Sequence, residues 1–106
     1  MKRIAFYSCL TLITLSPVSA YAYPSCEQAP KNSPASSLAI TMTFRNISDG
    51  PLQLDWVDFN GGLKSFGLVG PGETKTQQTF EGHVWQWTAP GGGCINRYVA
   101  GKQNVQ

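Results

Sequence analysis

The stretch Leu38-Ala39-Ile40-Thr41-Met42-Thr43-Phe44-Arg45 decides the fold. Leu38, Ile40, Met42 and Phe44 alternate with Ala39, Thr41, Thr43 and Arg45, and a period of two puts the apolar set on one face of a β-strand. Downstream, Ser48-Asp49-Gly50-Pro51 combines residues that favour tight turns through side-chain capping, positive φ and fixed φ. Leu52, Leu54 and Trp56 resume the alternation, and Phe59 falls out of phase, as expected at a bulge or a strand end. Asn60-Gly61-Gly62 supplies a hairpin turn, and Leu63 to Val69 forms a third strand of irregular polarity ended by Gly70-Pro71-Gly72. Glu73 to Phe80 is a polar, Thr-rich strand expected at an edge or with one face in solvent. Beyond the Glu81-Gly82 corner, His83, Trp85 and Trp87 point to one face while Val84, Gln86 and Thr88 point to the other. After the Pro90 to Gly93 loop a last strand holds Cys94, Ile95, Tyr98 and Val99. About six or seven short strands with turns between them predict an all-β chain, a small antiparallel β-sandwich. No helical periodicity is present outside the N-terminal segment.

That segment reads as an address. Lys2 and Arg3 precede a mostly apolar run from Ile4 to Leu15, and small residues surround Ala20 and Ala22, the pattern of a secretory signal peptide over residues 1–22 with cleavage after Ala20 or Ala22. The apolar run is shorter than the roughly 20 residues a membrane span needs, so no membrane insertion is expected after cleavage. The formal charge of +2 comes from Lys2 and Arg3, leaving a balanced exported chain, expected in the periplasm or outside the cell, with no basic patch for nucleic acid. Cys9 leaves with the leader. Cys26 and Cys94 remain as an even pair in an oxidising compartment and are expected to be bridged, two free thiols or a metal pair being the alternatives. Closing so long a loop would contribute roughly 4 kcal/mol in the chain-entropy treatment. Residues 23–37, rich in Pro, Ser, Ala and Asn, read as an extended arm pinned by that bridge, and 38–106 as the β domain.

Little in the chain points to catalysis. His83 is the single histidine. It has no second metal-ligand type at zinc-like spacing, no Gly-rich phosphate loop exists, and Thr79, Glu81 and His83 fit no nucleophile context. No catalytic residue, metal site or cofactor is therefore expected. Asp55 and Asp58 flank Trp56 and read as solvated strand-edge charges. The aromatic residues are more informative: Trp56, Trp85, Trp87, Phe59, Phe66 and Phe80 are many for a small domain, and most must be core. His83 and Trp85, two apart on one strand, combine an aromatic face with a polar group, and the Thr79 hydroxyl can reach the same spot across a short corner. Asn46-Ile47-Ser48 matches a glycosylation sequon and is equally an ordinary strand-to-turn stretch; no function is assigned to it.

Phe44-Arg45-Asn46, then Trp56-Val57-Asp58-Phe59-Asn60-Gly61, then Pro71-Gly72 and Gly82-His83-Val84-Trp85, in this order and spacing, resemble the β domain of the von Hippel-Lindau family. The resemblance runs from about Thr43 to about Ala89 and implies an antiparallel sandwich that binds a hydroxyproline-containing protein segment. The positions matching its pocket are Trp56, Phe66, Thr79, His83 and Trp85. The resemblance implies that Trp faces hold the pyrrolidine ring while a His nitrogen and a Thr hydroxyl bond the 4-hydroxyl, which both donates and accepts. Phe66 stands where the family has Tyr and Thr79 where it has Ser. No helical segment of the kind that recruits elongin C follows, so ubiquitin-ligase function is not expected. A protein or peptide ligand is the expected partner. The alternatives are a carbohydrate-binding module, with Trp rings on sugar faces and Asp55, Asp58 or Gln86 on hydroxyls, and an inhibitor of an exported hydrolase presenting Gly91-Gly92-Gly93.

Overall fold

The computed structural model describes residues 20–23 and 25–101. Within them seven strands form two antiparallel sheets: β1 (Ala20–Ala22), β2 (Ala39–Arg45), β3 (Leu52–Val57), β4 (Leu63–Val69), β5 (Thr74–Phe80), β6 (Val84–Thr88) and β7 (Cys94–Ala100). The larger sheet has the order β1-β7-β6-β3-β4, and β2 pairs with β5 as a two-stranded layer. The expected leader falls mostly on residues 1–19, outside the described residues. Its last three residues form β1, which pairs with β7 through Ala20 opposite Ala100.

The alternation in β2 behaves as its composition dictates. Met42 and Phe44 are buried, whereas Thr41, Thr43 and Arg45 face solvent. Leu38 departs from the expected apolar set: it precedes the strand and is half exposed. Met42 and Phe44 pack against Leu52, Leu54, Val69, Trp85, Trp87 and Ala100 to make the core between the layers. Phe44 meets Trp85 and Trp87 with ring centroids 5.6 and 5.9 Å apart, the tilted and edge-on arrangements that aromatic quadrupoles favour. As expected for β5, its exposed and covered residues alternate.

The irregular polarity of β4 has a local cause. Leu68 lies opposite Gln53, yet Ser65 lies opposite Asp55, so β4 carries one extra residue against β3. Gly67, at φ 106°, takes up that residue in a conformation that L side chains rarely adopt. The bulge restores parity: Val69 and Phe66, three apart, both come to the core side. Phe59 is no part of this bulge; it follows the end of β3 in a turn where Asp58 accepts the Asn60 and Gly62 amides at 2.9 and 2.8 Å.

The other face of the larger sheet is covered at β3 and β6 and open to solvent at β4, where Ser65 and Leu68 are exposed. All five residues of β6 are buried, on both sides of the strand, because the segment from Ser25 to Ser37 crosses that face without regular structure. Pro30 accepts from Arg97 Nη1 at 2.8 Å, Ser33 donates its amide to Asp58, and Cys26 is joined to Cys94 with Cα atoms 6.4 Å apart. This cover corrects the reading of Asp55 as a solvated charge, since only 1% of its surface is exposed. One carboxylate oxygen accepts from Gln53 Nε2 at 2.8 Å and the other from the Thr88 hydroxyl. Gln86 Nε2 donates to the Thr88 oxygen, and Arg97 Nε donates to Gln86, each at 2.8 Å. Asp58 is half buried and serves its turn. The sequon asparagine is structural too: Asn46 is buried, donates to the Gly50 and Val69 carbonyls, and accepts from the amide and hydroxyl of Ser48.

Candidate functional site: an aromatic pocket beside His83

On the core side of the larger sheet, where the end of β5 leaves β3, β4 and β6 uncovered, a pocket of about 260 Å³ is lined by Trp56, Phe59, Phe66, Gln78, Thr79, Phe80, His83 and Trp85. Each wall follows from local structure. Trp56 and Trp85 are direct partners across the β3–β6 ladder and therefore share a face. Phe66 is turned inward by the Gly67 bulge and meets the Trp85 ring edge-on at 5.0 Å. Thr79 projects from β5, where it pairs with Ile40, and its oxygen accepts Trp85 Nε1–H at 2.8 Å. That bond fixes the indole and leaves the threonine proton available as a donor. His83 follows a turn closed by its own amide on the Phe80 carbonyl, with Gly82 at φ 89° as such a turn requires.

All five residues expected at a ligand site therefore meet in one cavity, and Phe59, Gln78 and Phe80 join them. Phe59 packs edge-on to Trp56 and His83 at 5.2 and 5.7 Å, and Phe80 lies 5.4 Å from the imidazole. With 52% and 39% of their surfaces exposed, these two rings form the outer wall. Both were visible in sequence as aromatics. Their place at the rim depends on the 58–62 turn and the 80–83 turn coming together, which no periodicity encodes.

The polar inventory of the pocket is unusual. Among the described residues, the buried side-chain polar atoms without a hydrogen-bond partner are Trp56 Nε1 and His83 Nε2, and the two rings stack at 5.4 Å with a 34° tilt. Burial depresses the His83 pKa below its ordinary value, while a hydrogen bond with the Pro34 backbone opposes that shift. Proline has no N–H, so its carbonyl accepts and a ring nitrogen donates. Nε2 has no partner and is the ring nitrogen left for a ligand. The pocket thus offers two unused donors, Trp56 Nε1–H and the Thr79 hydroxyl, the partnerless His83 Nε2, and five aromatic rings beside the imidazole.

The sequence matches the VHL beta domain family model over residues 32–91, more than half of the chain. The chain belongs to the VHL beta domain family. No curated protein matches it. The family is a protein-binding one rather than a catalytic one, and the matched span holds all eight pocket residues, whereas Cys26 and Cys94 lie outside it.

Proposed function

We propose that this VHL beta domain is an exported, non-catalytic module that binds a protein or peptide ligand by enclosing one hydroxylated ring-like side chain, 4-hydroxyproline above all, in the aromatic pocket. The observation that carries the reading is the pair of buried atoms lacking partners, Trp56 Nε1 and His83 Nε2, in a cavity walled mostly by aromatic rings. An unsatisfied buried donor or acceptor costs roughly 1–3 kcal/mol, which a ligand carrying the complementary group recovers on binding. A hydroxyl both accepts and donates, so a single group serves an indole N–H and an imidazole nitrogen, with the Thr79 proton as a further donor.

The size of the pocket favours one side chain of a longer ligand. It is smaller than the roughly 300–1,000 Å³ of sites that enclose whole small molecules. Phe66, in place of tyrosine, adds apolar wall and no hydroxyl, so the remaining affinity rests on ligand segments outside the cavity. Export is supported by the basic, apolar and small-residue sequence of residues 1–22 and by the bridged cysteines, which suit an oxidising compartment.

The test is a titration of the oxidised protein, followed by Trp fluorescence, with extended peptides differing only in one proline or 4-hydroxyproline. The expected result is a preference for the hydroxylated peptide of tenfold or more, roughly the scale of one buried hydrogen bond. Equal affinity for the two peptides, or binding of neither, refutes the proposal.

A further inference from the structure

The arm does more than cover the outer face of the larger sheet. The Ser33 hydroxyl donates to the Val57 carbonyl and accepts the Val84 amide. Val57 and Val84 are opposite one another in the β3–β6 ladder, directly after Trp56 in one strand and between His83 and Trp85 in the other. A single hydroxyl therefore ties together the two strand ends that carry the pocket. The next residue, Pro34, is the backbone hydrogen-bond partner of the imidazole; with Nε2 partnerless, the nitrogen assigned to that bond is Nδ1, the tautomer that leaves Nε2 as an acceptor. Gly82 makes the contact close: a Cβ there would stand 3.2 Å from Pro34 Cγ.

The arm has no ladder of its own. Between Ser25 and Leu38 it forms no strand, and Lys31, Asn32, Pro34 and Ala35 are exposed. Its anchors are Ala29 and Ser33, both buried, the Pro30–Arg97 bond and the Cys26–Cys94 bridge. Ordering such a segment costs conformational entropy at every residue, and few noncovalent bonds offset that cost. The bridge is the strongest of the anchors, and both of its cysteines lie outside the span the family model matches.

We infer that the disulfide-clamped arm is a positioning element of the pocket: Ser33 and Pro34, held in place by Cys26–Cys94, set the orientation and tautomer of His83, so that recognition of a hydroxyl by this chain depends on the bridge being closed. The ligand half of this inference rests on the proposed function; the positioning half stands on the Ser33 bonds and the Pro34–Gly82 approach.

His83 is the single histidine, so 15N-histidine labelling of the full mature protein gives one imidazole to follow. At about pH 8, where the ring is neutral, the oxidised protein should show the Nδ1–H form. Reduction with a phosphine should move the spectrum towards the Nε2–H form and weaken binding of the 4-hydroxyproline peptide by about tenfold, the scale of one misdirected hydrogen bond. A reduced protein that keeps its dispersed amide spectrum and an unchanged Nδ1–H signature overturns the inference. If reduction unfolds the chain, Ser33→Ala with the bridge intact decides: the Nδ1–H signature should fall and be restored in Ser33→Thr, and an unchanged signature in Ser33→Ala overturns it. Failure of the oxidised protein to bind the peptide would instead count against the proposed function, because the tautomer readout needs no ligand.

Discussion

Strands β3 and β6, with His83 at the entrance to β6, bury polar groups on both of their faces, and the two faces treat them differently. On the arm side, Asp55, Thr88, Gln86, Gln53 and Arg97 form a chain in which both oxygens of the buried carboxylate are bonded. On the pocket side, Trp56 Nε1 and His83 Nε2 have no partners. Satisfied burial holds a fold together, whereas unsatisfied burial costs stability and is expected where a ligand completes the set. The arm side is scaffold, and the pocket side spends part of the stability which that scaffold provides.

The largest expected effect is on the satisfied side. Asp55→Ala leaves the Thr88 hydroxyl and the Gln53 amide without their acceptor beneath the arm, and should lower unfolding free energy by about 2–3 kcal/mol in urea denaturation. A loss below about 0.5 kcal/mol, the range of ordinary surface substitutions, would show that the arm leaves this face wet. A smaller effect is expected at the bulge. Gly67→Ala has open space around its new methyl but a φ of 106°, so it should cost about 1–2 kcal/mol. It should also weaken peptide binding, because Phe66 loses the register that turns it inward.

The smallest stability change is expected on the unsatisfied side. His83→Phe removes the partnerless Nε2 together with the bond to Pro34, an exposed residue that water can serve, and keeps a ring, so its stability at neutral pH should stay within about 1 kcal/mol of wild type while peptide binding is lost. The variant also sharpens the comparison through pH. The folded-state pKa of His83 is depressed by burial below 6.5, so its contribution to stability is present above 6.5 and is lost as pH falls through the lower folded value. Thermal midpoints of wild type should therefore drop more steeply than those of His83→Phe between about pH 7 and about pH 5. Parallel profiles would mean that the imidazole is no more buried folded than unfolded.

Sequence reasoning reached the two faces unequally. β2 was legible because Met42 and Phe44 alternate with Thr41 and Thr43, whereas β4 showed only irregular polarity, and its bulge at Gly67 went unread because a single glycine in a short strand carries no register. Asp55 was misread because strand alternation places a charge on the outer face, and an outer face is normally wet; its cover is an arm with no periodicity to betray it. The pocket positions Trp56, Phe66, Thr79, His83 and Trp85 came from family resemblance, with His83, Trp85 and Thr79 also accessible from strand geometry. Ser33 and Pro34 carried no signal, since a short Ser-Pro step in a polar segment reads as linker until its contacts are seen.

The central claim is that the two partnerless atoms belong to the ligand. Its most direct test is a 1H–15N spectrum of the indole N–H groups during titration with the 4-hydroxyproline peptide and its proline counterpart. The Trp56 Nε1–H resonance should move downfield as it gains an acceptor, only with the hydroxylated peptide, while the Trp85 resonance, already bonded to Thr79, moves little. A Trp56 resonance that stays fixed at saturation, or moves equally with both peptides, would contradict the account.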